Sequence, residues 1–63
     1  MLKDKPLRHI VIEYIVDKLM EGCTRDEIRT ASLLLYEITP DLFYRCWRLA
    51  QPMYRSRLRD LKE

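Results

Sequence analysis

The sequence predicts an all-α fold, a small three- to four-helix bundle, on three observations. Apolar side chains recur three and four residues apart through long stretches, helix-start signals precede each later stretch, and turn formers sit at the joints. The chain has 63 residues, 48% of them hydrophobic and 35% charged, with one Gly and three Pro. Such a composition favours folding over disorder. Its length allows one domain, residues 1–63, with no internal repeat or linker. A domain of this size buries only about 60% of its unfolded surface, so association with a second copy or another partner is expected to help it.

Helix one is expected over residues 6–21. Leu7, Ile10, Val11, Tyr14, Ile15, Leu19 and Met20 mark its apolar face. Pro6 suits a first-turn position and Gly22, the only glycine, a left-handed C-terminal cap. Ile10-Val11-Ile12 is the one local argument for a strand, but its charged neighbours follow the helical period.

Helix two opens on Thr24-Arg25-Asp26-Glu27, a capping box in which threonine and glutamate satisfy each other's backbone N–H groups. It is expected over 25–37, with Ile28, Ala31, Ser32 and Leu35 facing inward. Leu33, Leu34 and Tyr36 widen its apolar arc beyond what a three-helix core covers, which makes them candidates for a protein interface. Thr39-Pro40-Asp41 then repeats the start signal, leaving Glu37 and Ile38 for the turn.

On a wheel of about 100° per residue, Leu42, Phe43, Cys46, Leu49, Ala50, Met53, Tyr54 and Leu61 share one side of helix three, with Trp47 and Leu58 at its edge. Tyr44, Arg45, Arg48, Gln51, Arg55 and Arg59 share the other, and Arg57 turns toward the apolar arc. Pro52 lies on the polar side, where the helix either bends or gives way to a fourth one.

Net charge is +2, and its excess is local. Residues 1–22 hold four basic and four acidic side chains, 23–38 two and three, and 39–63 six and three. Between Leu42 and Arg59 stand five arginines and no Asp, Glu or Lys, a positive field that a polyanion would feel. Glu13, Asp17 and Glu21 form an acidic stripe that is either solvated or meets an arginine-rich surface, including that of another copy.

A short turn followed by a helix with a basic face gives helices two and three a helix-turn-helix-like arrangement, the geometry in which a helix enters a DNA major groove. Arginine can fork onto guanine or phosphate, and Gln51 and Tyr44 can reach bases or backbone. Helix two exceeds the length of the compact motif, and its turn holds no glycine.

The stretch from Ile15 to Leu58 resembles the helix-turn-helix domains of phage small terminase subunits. The likeness rests on Leu19-Met20-Glu21-Gly22-Cys23-Thr24-Arg25-Asp26-Glu27-Ile28, on Glu37-Ile38-Thr39-Pro40-Asp41 and on Tyr44-Arg45-Cys46-Trp47-Arg48-Leu49-Ala50. It implies double-stranded DNA as the ligand, contacted through the third helix. It places contacts on Tyr44, Arg45 and Arg48 and, at the start of helix two, on Thr24 and Arg25. It does not extend to the separate oligomerisation region that follows in that family.

Other classes find less support. Cys23 and Cys46 form no C-x-x-C pair and His9 is the only histidine, so neither a zinc site nor a catalytic thiol with its orienting acid is expected, and no cofactor is implied. No apolar run approaches the length of a membrane span, and a cytoplasmic, reducing compartment is expected. The competing reading is a small helical protein–protein interaction module, a phage-encoded modulator or homodimerising adaptor, with no nucleic-acid role.

Overall fold

The computed structural model describes residues 6–62. They form three helices, α1 (Leu7–Met20), α2 (Arg25–Tyr36) and α3 (Pro40–Lys62). Pro52 lies inside α3, which continues through it, so there is no fourth helix among the described residues.

Each boundary has a local cause. Pro6, with ψ 143°, precedes α1 as its cap and does not occupy the first turn, and its carbonyl accepts from the His9 and Ile10 amides. At the other end Gly22 has φ 93°. Its amide donates to the Leu19 carbonyl at 3.0 Å and that of Cys23 to the Lys18 carbonyl at 3.0 Å, the paired bonds of a Schellman motif. A Cβ on Gly22 would meet no atom within 4 Å, so any cost of adding one is conformational. Gly22→Ala should therefore destabilise by about 1–2 kcal/mol, read as a lower urea midpoint with unchanged slope.

The capping box of α2 is formed. Glu27 N–H donates to Thr24 Oγ1 at 3.2 Å, and Thr24 N–H to Glu27 Oε1 at 2.9 Å. Helix α2 ends at Tyr36, because Glu37, which the sequence leaves for the turn, adopts a left-handed conformation at φ 53°. Thr39 then caps α3, accepting the Leu42 amide at 3.2 Å. Glu37, Ile38 and Thr39 thus make the short connection of the expected helix-turn-helix-like arrangement.

Helices α1 and α3 run side by side in the same direction. Cys46 Sγ donates to the Arg8 carbonyl at 3.7 Å near one end, and Arg57 Nη1 to Asp17 Oδ1 at 3.0 Å near the other. Helix α2 packs back against α1, its Tyr36 ring meeting Tyr14 edge-on with centroids 5.4 Å apart. The Cα atoms span 35 × 34 × 17 Å, a flat body.

Val11, Ile12, Ile15 and Val16 of α1 meet Ile28 of α2, Ile38 of the turn and Phe43, Cys46 and Ala50 of α3 in the core. Several expected core positions lie elsewhere. Leu7 and Ile10 are exposed while Ile12 and Val16 are buried. Apolar residues surround α1 nearly all round, and the two helices packed on it select which of them are covered. Leu35 is exposed because α2 packs mainly through Ile28 and Ser32, and Leu49, Met53 and Leu61 are exposed because the other helices cover only the part of the apolar arc of α3 that carries Phe43, Cys46 and Ala50.

Ser32 is fully buried, and its hydroxyl has no hydrogen-bond partner among the described residues. A buried hydroxyl without a partner costs about 1–3 kcal/mol of desolvation, and alanine is the better helix former. Ser32→Ala should raise stability by about 1–2 kcal/mol, measurable as a higher urea midpoint.

Candidate nucleic-acid interface

Arg45, Arg48, Arg55 and Arg59 are all exposed. Helical geometry gathers them into an arc of about 80°, and their Cα atoms span about 21 Å along α3. None of the four takes part in a hydrogen bond or ion pair among the described residues. The stripe lies opposite Phe43, Cys46 and Ala50, so its position follows from the burial that fixes α3 against α1. Arg45 and Arg48, with Leu49, line a wide depression of about 470 Å³.

The fifth arginine is spoken for. Arg57, on the α1 side, pairs with Asp17 across the two helices. The acidic stripe of α1 thus meets an arginine of its own chain, and a second copy is not needed to supply one. Both partners are about half exposed, at 46% and 62% of their side chains, so the bridge contributes orientation more than stability.

Tyr44 is 48% exposed and packs edge-on against Phe43, with centroids 6.3 Å apart. Its ring is therefore held at the border of the stripe. Phe43 is fully buried and stacks at a tilt on the half-buried Trp47, which assigns both to packing.

Gln51 differs from the expectation. Its side-chain amide donates to the Trp47 carbonyl at 3.3 Å and is part-buried. Gln51 immediately precedes Pro52, and the carbonyl it bonds is the neighbour of the Arg48 carbonyl, the one that Pro52 leaves without a helical donor. As placed, its nitrogen is committed to its own helix and is not presented to a ligand.

Thr24 and Arg25 are exposed, but not beside the α3 stripe near Tyr44. Helix α2 begins just after α1 ends, at the Asp17–Arg57 end of the molecule, whereas Tyr44 and Arg45 stand at the start of α3. The Thr24 hydroxyl is also engaged in the capping box. The two sets of residues therefore do not converge on one patch.

Of the residues expected at a protein interface, Leu34 is 76% exposed, but Leu33 and Tyr36 are half-buried and pack on the core. Burial pushes the Tyr36 hydroxyl above its ordinary pKa, with Tyr14 and Asp17 acting in the same direction. Leu35, at 61%, stands beside Leu34 as the exposed apolar surface of α2.

Both cysteines are free. Burial pushes the Cys46 thiol up, only partly offset by Arg8, and this stabilises the unreactive protonated form. Cys23 lines a small cleft of about 270 Å³ with Tyr14, Lys18, Glu27 and Ile28. Among the described residues no group of three or more His, Cys, Asp or Glu side chains could hold a metal ion, and no helix is long and apolar enough to cross a membrane. Comparison with known proteins finds no matching family model, no similar curated protein and no similar solved structure.

Proposed function

We propose that this chain binds double-stranded DNA through the arginine stripe of α3. The observation that carries this reading is the set of four exposed arginines, without an ion-pair partner among the described residues, along one face of α3. Guanidinium groups neutralise phosphates and release condensed counterions, which supplies affinity irrespective of sequence. Tyr44, at the border of the stripe, can add a hydrogen bond to the backbone or a base. The resemblance to the DNA-binding domains of phage small terminase subunits belongs to the same proposal, as does a cytoplasmic location.

The test is fluorescence anisotropy of a labelled random duplex, titrated at low and near-physiological salt. Binding that weakens steeply with salt supports the reading. Absence of binding at low salt overturns it and favours the interaction module, for which the exposed Leu34 and Leu35 are the supporting observation.

A further inference from the structure

Beside the arginine stripe, on the side of α3 that borders α1, lies an apolar strip that no described residue covers. Leu49 is 55% exposed and Met53 41%. With His9, Ile12 and Glu13 they line an open groove of about 420 Å³ between α1 and α3. Leu49 also borders the depression under Arg45 and Arg48, so the strip and the basic surface are continuous.

The charges along this strip are arranged about its middle. Counting about 100° per residue, Arg45, Leu49, Met53, Ser56 and Asp60 fall within an arc of about 80°, and all five are exposed. Arg45 lies eight residues before Met53 and Asp60 seven after it. The strip therefore reads positive, apolar, negative, with Met53 at its centre.

We infer that a second copy of this chain docks here, α3 against α3 in antiparallel register about a two-fold axis at Met53. Such an axis brings each Arg45 opposite the other copy's Asp60 and stacks the two Met53 side chains at the centre, with Leu49 beside Ser56. A two-fold interface requires one patch to complement itself. A surface with opposite charges eight and seven residues from an apolar centre meets that condition to within one residue in the antiparallel orientation, whereas the parallel one would set like charges together. The axis stands perpendicular to the plane of the two helices, so both arginine stripes face the same side of the dimer. The inference does not rest on DNA binding and is measured without DNA.

Sedimentation equilibrium of the full chain at low salt tests it. The wild type should dimerise, and Met53→Lys should yield a folded monomer by circular dichroism, because that side chain is already part exposed. Arg45→Asp and Asp60→Arg should each weaken the dimer by about tenfold, since each sets two like-charge contacts in the seam. The combined exchange, Arg45→Asp with Asp60→Arg, should restore the affinity to within about threefold of the wild type. A wild-type chain that stays monomeric at millimolar concentration overturns the inference. So does a dimer unchanged by Met53→Lys, or a charge exchange that fails to restore what the single variants lose.

Discussion

Phe43→Ala should remove half or more of the folding stability of the chain. Phe43 is fully buried among the apolar residues of all three helices and the α2–α3 turn, and is one of the largest side chains in the core. Its truncation removes apolar burial and leaves a cavity that a small bundle only partly closes, a cost of about 3–5 kcal/mol. The total stability of a domain this size is only about 3–9 kcal/mol. Loss of the Phe43–Trp47 ring contact adds to the deficit. Urea unfolding followed by far-ultraviolet circular dichroism reads the effect. Leu34→Ala, at a position 76% exposed, provides the comparison and should shift stability by less than about 0.5 kcal/mol.

The second large effect concerns the arginine stripe. Arg45→Ala combined with Arg48→Ala should abolish measurable duplex binding at near-physiological salt while leaving the circular dichroism spectrum intact. Each arginine that neutralises one phosphate contributes about 0.9 to the slope of log affinity against log salt. The double variant should therefore lower that slope by about 1.8, as seen at low salt where residual binding survives. Arg57→Ala is the matched control because its side chain is turned to Asp17 and away from the stripe. It should change binding far less than any stripe arginine. A double variant that binds duplex as well as the wild type would remove the stripe as the contact surface.

The parts of the fold legible in the sequence are those governed by local chemistry. Thr24 with Glu27, Thr39 before Pro40, and Gly22 announce helix ends because each satisfies backbone groups within four residues of itself. The exposed positions of Arg45, Arg48, Arg55 and Arg59 were legible for a related reason: the period of α3 places them opposite Phe43, Cys46 and Ala50. What escaped depends on contacts distant in sequence. The buried face of α1 could not be chosen from a helix with apolar residues nearly all round. Its pairing with α3, in the same direction, decided for Ile12 and Val16 over Leu7 and Ile10. Arg57 could be seen to point inward, but its partner Asp17 lies forty residues away. Gln51 carried no such signal: its bond to the Trp47 carbonyl is a side-chain choice that the helical period alone does not dictate.

Pro52 divides the arginine stripe into two pairs, Arg45 with Arg48 before it and Arg55 with Arg59 after it. Its nitrogen carries no hydrogen, so the Arg48 carbonyl loses its helical donor, and the ring crowds that carbonyl on the exposed face. Mechanically, α3 is a rod with one soft joint. Bending there opens the proline side, which makes the arginine-bearing face the convex one and lets the helix wrap inward around α1. The joint therefore sets the distance between the two guanidinium pairs, and a modest bend adjusts their spacing along a polyanion without disturbing the Phe43 core. Amide hydrogen exchange would register the same division, with the segment from Met53 to Lys62 opening more readily than that from Leu42 to Ala50.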